Sequence, residues 1–353
     1  MAIFCRNFVA GLFAVFAAWF CVLHSAHAEG NYDQRAKAME LAQQLQAQHN
    51  IPVARTLALL KEARYLPHVV KAVKPPNKPG VRDWDRYRSR FVEKFRIEKG
   101  IEFWNDNETA LNQASQQFGV PPEVIVAIIG VETIYGRHLG KNRVLDSLAT
   151  LAFDYPTGQR DRSEFFTQEL AAFIVLTENS HLDALQVEGS YAGAVGLGQF
   201  MPSSWQAYAV DGDGNGIIDL FGSKTDAIFS VANFLKVHGW EPGVSALIPV
   251  EIKQDRHLST LLAPDIVPTF TPQEMVQQGL ELKHQTLENE KLALIELVRS
   301  TGPSDYVVGG NNFYVVTRYN RSSFYATAVL ELAQALRTNR ELSMHQTSGV
   351  DPV

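Results

Sequence analysis

Cysteine is nearly missing from this chain: only Cys5 and Cys21 occur among 353 residues. Beyond position 28 no thiol is available, so thiol nucleophiles, disulfide staples and cysteine-ligated metals are excluded there. No His-Glu-x-x-His occurs and the histidines are scattered, which leaves zinc hydrolysis without a ligand set. No Gly-x-Ser-x-Gly occurs, so a nucleophile elbow is absent as well. The stretch Gly136-Arg-His-Leu-Gly140-Lys141 is one residue short of a phosphate loop and follows a helical pattern instead of a strand. An excess of positive charge is also lacking: the balance is −6, which argues against nucleic acid as a partner. The length suffices for two or three packed units, and no internal repeat is visible.

What is there begins with a leader. Arg6 precedes an apolar run from Phe8 to Leu23, and Ala26-His27-Ala28 has the small-x-small form of a cleavage site. This predicts a secretory signal over residues 1–28. The run is of marginal length for a membrane anchor, the competing reading. Ala18-Trp19-Phe20 ahead of Cys21 lacks the small residues that lipidation of that cysteine would want.

Residues 29–240 read as mainly helical: segments to about Val73, then 102–118, the stretch after Pro121, 145–153, 163–179 and 227–238. Between Val73 and Trp84 three prolines and a glycine mark a connector. Ten lysines and arginines from Lys71 to Lys99 face four acids, either a solvated helix face or a surface for an anionic polymer. Residues 241–317 change texture. Short β-branched runs at 244–252, 292–298 and 313–317, with Gly309-Gly310-Asn311-Asn312 as a hairpin turn, predict a small α/β insertion. A last helix, 323–342, returns to the body within residues 318–344, and the tail from His345 is expected to be loose. The predicted fold class is mainly α with a small α/β insertion.

The central stretch is PPEVIVAIIGVETIYGR, Pro121 to Arg137. Proline and an acid suit a first helical turn, and Gly136 and Gly140 offer a stop. Ile125, Ile128, Ile129 and Val131 are dense enough to require burial on most sides. Glu132 falls on the same face as Ile125 and Ile129, so a carboxyl continues an apolar stripe. Two readings stand: a structural acid paired with Arg137 or Arg143, or a general acid whose apolar surroundings keep it protonated near neutral pH. Gln199, a glycine-punctuated segment from Gly189 to Gly198, and Tyr191, Phe200 and Trp205 suit the amides and aromatic faces that hold sugars. A second carboxylate of the kind most glycosidases use is not evident; Asp146 and Asp154 sit in ordinary helical contexts.

Asp211-Gly-Asp213-Gly-Asn215-Gly-Ile217-Ile-Asp219 matches the first nine positions of an EF-hand loop. Oxygen side chains stand at positions one, three, five and nine, and a backbone carbonyl is expected from Ile217. Position twelve is Gly222 instead of Glu, and Asp226 is the substitute ligand if the loop runs over 211–226. The expectation is one structural calcium ion and no organic cofactor, against a metal-free Asp/Gly turn.

These residues together resemble the lytic murein transglycosylases of the B type. The motifs are Gly130-Val-Glu132-Thr133, Gly198-Gln-Phe-Met-Pro-Ser-Ser204, the calcium loop, Val231-Ala-Asn233 and Arg318-Tyr-Asn-Arg-Ser322. The resemblance implies a goose-lysozyme-like catalytic core plus a helical domain and a small β domain. It implies cleavage of the β-1,4 bond between N-acetylmuramic acid and N-acetylglucosamine by Glu132 alone, closing a 1,6-anhydro ring. It also implies that Ser190, Gln199, Tyr319, Asn320 and Asn233 line the groove, with Phe200 and Met201 packing on sugar rings and Tyr87 and Arg162 at further positions. Phe234 stands where some members carry tyrosine. A periplasmic protein acting on glycan strands, alongside the cell-wall synthesis machinery, follows from the same resemblance. A hydrolytic muramidase would instead leave reducing ends, and a non-catalytic peptidoglycan-binding protein would tolerate loss of Glu132.

Overall fold

A computed structural model describes residues 31–74, 80, 82–157, 160–283 and 290–348. The expected signal peptide and most of the connector after Val73 lie outside the described residues. A 3-10 turn (Tyr32–Gln34) opens onto α1 (Ala36–His49), α2 (Val53–Glu62) and α3 (Pro67–Val73). After the connector come α4 (Trp84–Arg88), α5 (Lys94–Asp106), α6 (Glu108–Phe118) and α7 (Pro122–Thr133). The helix expected over 102–118 is in fact two. Asn107 turns its amide back onto the carbonyl of Phe103 at 2.7 Å and ends α5, so α6 starts in a new direction.

α7 carries Glu132 and is the axis of the fold. Val124 to Gly130 are all buried, between α5, α6, α11 and α15. Burying its five Val and Ile side chains contributes on the order of 10 kcal/mol before entropy is charged against it. The bridge β1 (Asn142–Arg143) leads into α8 (Val144–Phe153) and α9 (Ser163–Glu178), and pairs antiparallel with β2 (Glu188–Gly189). The glycine-punctuated loop, α10 (Pro202–Tyr208) and α11 (Lys224–Val237) complete this half.

The insertion is an antiparallel sheet of order β4-β3-β6-β5, made of β3 (Leu247–Ile252), β4 (Leu280–Leu282), β5 (Ala293–Leu297) and β6 (Asp305–Gly309), with α12 (Leu258–Leu262) and α13 (Pro272–Gln277) against it. β5 serves two cores. Leu294 joins Ile248, Leu261, Met275 and Val308 in a small core, while Ala293, Ile295 and Leu297 face the main one, as the two-residue period of a strand requires.

The expected hairpin at 309–312 and strand at 313–317 are not formed. The chain enters α14 (Asn311–Tyr319) and then α15 (Ser323–Ser348). The two asparagines read as a turn act as a staple. Buried Asn312 accepts from the Glu241 N–H at 2.8 Å and donates to the carbonyls of Glu241 and Val244 at 2.7 and 2.9 Å. Asn311 donates to the carbonyl of Gly239 at 2.7 Å. The start and end of the insertion are thereby joined, and Phe313, Val315 and Val316 are fully buried. The last helix continues to Ser348, four residues into the expected loose tail.

Candidate active site

Glu132 sits in the last turn of α7, half-buried. Its Oε1 accepts a hydrogen bond of 2.6 Å from the hydroxyl of Tyr325, in the first turn of α15. Neither arginine proposed as its partner holds it: Arg143 pairs with Asp146 at 2.6 Å, and Arg137 lies over the exposed ring of Phe95. Among the described residues Glu132 makes no ion pair. Burial pushes its pKa up to about 7, while the Tyr325 hydroxyl, which favours the carboxylate, pulls the other way. Half-buried Tyr319 and buried Tyr325 are pushed well above the ordinary phenol range, by burial first and the Glu132 charge second. Tyr87 is raised for the same two reasons. Among the described residues the carboxyl therefore faces neutral phenols and no cation, and can hold a proton at neutral pH and release it.

Tyr325 is not marked by any motif in the sequence. The only available signal was an aromatic hydroxyl on the apolar stripe of the last helix. The acids weighed as a second carboxylate are engaged elsewhere. Asp146 accepts from Arg143 and from the Arg64 N–H, and Asp154 is gripped by Tyr32 at 2.8 Å and by Arg35 at 2.7 and 3.1 Å.

α7 stops before its glycines, because Ile134 and Tyr135 themselves adopt left-handed backbone (φ 50° and 57°), followed by Gly136 at 87°. Each non-glycine residue there costs about 1 kcal/mol. Thr133 repays part of this. Its hydroxyl proton is shared between the carbonyls of Leu197 (2.9 Å) and Ile129 (3.2 Å), and its oxygen accepts the Gly136 N–H at 3.0 Å. The residue beside Glu132 thus ties α7 to the glycine loop.

That loop supplies the facing wall. Gln199 donates to the carbonyls of Leu139 and Gly196 at 3.2 and 3.0 Å, which leaves its Oε1 as an acceptor. Tyr319 donates to the carbonyl of Gly198 at 2.6 Å. Phe200, expected against a sugar, is 2 % exposed; its ring meets Tyr319 and Phe234 edge-on and supports the wall from behind. Trp205 is likewise buried. Met201 is half-buried. Ser190 accepts from the N–H groups of Ala192 and Ala194 and keeps its own proton to donate. Gly140 packs so closely on Gly189 that a Cβ would lie 2.0 Å from its carbonyl oxygen, which brings this turn against the segment following α7. Asn320 is exposed beside Tyr319. Two candidates stand apart. Asn233 spends its amide on the carbonyl of Tyr208, and exposed Arg162 lies over Phe165 and Phe166.

Tyr87 stands on a short helix fastened to the insertion. The Trp84 N–H donates to the carbonyl of Val298 at 2.8 Å, and Arg299 pairs with Asp85 at 2.7 Å.

In the acidic loop, carboxylate oxygens of Asp211, Asp213 and Asp226 lie within 4.8 Å of one another, and Asp226 is fully buried. Three carboxylates so close repel by about 3 kcal/mol per pair at an effective dielectric near 20, which a hard divalent cation would reverse. Backbone N–H groups shape the set. Asp226 accepts from Gly212 and Asp219, both at 2.8 Å. Asp211 accepts from Gly216, Gly214 and Asn215, and the Gly216 N–H above all holds its pKa below the usual range. Asn215 accepts from Ile217. Asp219, at position nine, instead caps the turn by accepting from Phe221 and Gly222. An all-oxygen donor set with a buried carboxylate fits calcium.

Residues 33–334 match the Transglycosylase SLT domain family. The chain is 38 % identical over 324 residues to the membrane-bound lytic murein transglycosylase B of Escherichia coli K12, covering 88 % of this chain and 85 % of the relative. It superposes on the soluble lytic transglycosylase SltB1 of Pseudomonas aeruginosa with a TM-score of 0.79 at 38 % identity, over 86 % of this chain and 99 % of the other. The Escherichia coli lytic transglycosylase Slt35 in complex with calcium gives 0.75 at 38 % identity, over 88 % and 96 %. With the matched segment spanning both the α7 carboxyl and the acidic loop, the chain belongs to the Transglycosylase SLT domain family.

Proposed function

We propose that this protein is a lytic murein transglycosylase that cuts the β-1,4 bond between N-acetylmuramic acid and N-acetylglucosamine in peptidoglycan, using Glu132 as both acid and base. The observation that carries this reading is the solitary carboxyl, raised to about 7, touched by Tyr325 and free of any cation among the described residues. Protonated Glu132 gives its proton to the glycosidic oxygen as the bond to the muramoyl C1 breaks. The carboxylate left behind, steadied by the Tyr325 hydroxyl, accepts the proton of the muramoyl C6 hydroxyl. O6 closes on C1, giving a 1,6-anhydro ring and restoring the protonated acid. No water is consumed and no second carboxylate is needed, which agrees with the structural engagement of Asp146 and Asp154.

Around this carboxyl Ser190, the Gln199 carbonyl oxygen, Tyr87, Tyr319, Asn320 and Met201 would contact the glycan. The side-chain oxygens of Asp211, Asp213, Asn215 and Asp226, with the Ile217 carbonyl, would hold a calcium ion. When bound, that ion neutralises the acidic cluster and stiffens the loop below α11. A glycan-strand substrate places the protein in the periplasm. Mass spectrometry of fragments released from purified sacculi tests the reaction: anhydromuropeptides are expected, and reducing muramoyl ends would establish a hydrolase instead.

A further inference from the structure

We infer that Arg96 and Tyr135 form a positioning unit that sets the end of α7, and through it the direction of the Glu132 side chain. The proposal rests on Glu132 being the reactive carboxyl. It starts from the three left-handed residues after Thr133. A helix commonly leaves through one glycine in this conformation; here an isoleucine and a tyrosine precede it. The consequence is the path of Tyr135. Its ring turns back between α5 and α7, into a slot that exists because both helices have glycine there. A Cβ on Gly100 would lie 2.3 Å from the Tyr135 hydroxyl oxygen, and one on Gly130 would lie 2.4 Å from it. The ring stacks on Phe103 at 5.4 Å, and the hydroxyl donates to the carbonyl of Arg96 at 3.0 Å.

Arg96 closes the unit. The sequence placed it on a basic surface, yet it is 7 % exposed. Its Nη1 donates to the carbonyl of Gly130 at 2.6 Å and its Nη2 to that of Arg90 at 3.0 Å. The Gly130 carbonyl also accepts from Ile134 at 3.1 Å, so the bond that ends the helix and the bond from the guanidinium meet on one oxygen. A cation on the C-terminal carbonyls of a helix is favourable, but a buried guanidinium is an expensive way to stabilise a core. This one is aimed at the backbone carbonyl of Gly130, two residues before Glu132. The groups facing the carboxyl are Tyr87 from α4, Tyr319 from α14 and Tyr325 from α15; Glu93, the acid nearest Arg96, lies 3.9 Å from its Nε. Arg96 and Tyr135 therefore act on Glu132 through the peptide chain alone.

The decisive variant is Gly130→Ala. The added methyl must displace the ring, so a merely structural slot predicts lost stability with kcat per folded molecule and the Glu132 titration unchanged. If Tyr135 positions the helix end, displacing its ring lowers kcat at least tenfold with KM within twofold. Arg96→Lys and the milder Tyr135→Phe should act in the same direction, the latter by about threefold. The second readout does not depend on turnover. In protein labelled with 13C at glutamate Cδ, the Glu132 resonance, assigned by its loss in Glu132→Gln, should titrate at least half a unit lower in Gly130→Ala and Arg96→Lys, because a displaced carboxyl meets water. Variants that match the wild type in both kcat per folded molecule and titration midpoint would overturn the inference. A wild type that releases no anhydromuropeptides would overturn the proposed reaction while leaving the titration comparison to decide the positioning role.

Discussion

Carboxyl groups at two places in this molecule are treated in opposite ways. At the end of α7 one acid is set among apolar side chains and neutral phenols, and a single hydroxyl reaches it. In the loop below α11, three acids converge and the backbone N–H groups of Gly212, Gly214, Asn215, Gly216 and Asp219 are spent on them. Burial without donors favours the protonated form, whereas oriented N–H groups favour the charged one. The same functional group is thus prepared for the proposed proton carrier in one place and for the proposed cation ligand in the other.

The sharpest way to break this contrast is Glu132→Gln, which keeps the shape and removes the transferable proton. Release of anhydromuropeptides should fall about a thousandfold, read by chromatography of digested sacculi, with the circular dichroism spectrum unchanged. On the other side, Asp226→Ala leaves the N–H groups of Gly212 and Asp219 without acceptors and should cost roughly 2–5 kcal/mol of stability, measured by denaturant unfolding. Chelation with EDTA should lower the melting temperature in the same sense, with kcat per folded molecule little changed; a melting curve indifferent to calcium would remove the metal from the loop.

The contrast also has a pH signature. The Glu132 pKa is raised from an ordinary 4.5 to about 7, so the folded state binds the proton more tightly than the unfolded one. The stabilisation is complete below about pH 4.5 and is lost as pH rises through about 7. Glu132→Gln should therefore be the more stable protein at pH 8, by about 3 kcal/mol, and the difference should vanish near pH 4. The smallest expected change is for Tyr325→Phe. Losing the hydroxyl removes the one bond that favours the carboxylate, so the titration midpoint should rise and kcat at neutral pH should fall about tenfold, with KM unchanged.

Much of this was written in local chemistry. Glu132 on an apolar stripe and the Asp-x-Asp-x-Asn-Gly spacing each announce themselves within a few residues, because helix period and ligand spacing are short-range properties. Asp226 was reachable for the same reason. What stayed hidden depends on pairings across the chain. Tyr325 lies 193 positions from the carboxyl it touches, and nothing near it marks it as different from a core aromatic. Arg96 looked like one more cation in a basic run, since its destination, the Gly130 carbonyl, has no side chain to betray it. The Gly309 to Asn312 run has turn chemistry, and the competing use of Asn312 as a staple requires knowing that Glu241 lies beside it.

The peptide of Trp84 hangs on that of Val298 and Arg299 clasps Asp85, while Trp84 and Tyr87 pack on Phe324 and Arg88 pairs with Glu331, both in α15. The Tyr87 rim thus has two tethers, one on the appended sheet and one on the last helix. Cutting the sheet tether at Arg299 would leave that rim hung from the same helix that carries Tyr325.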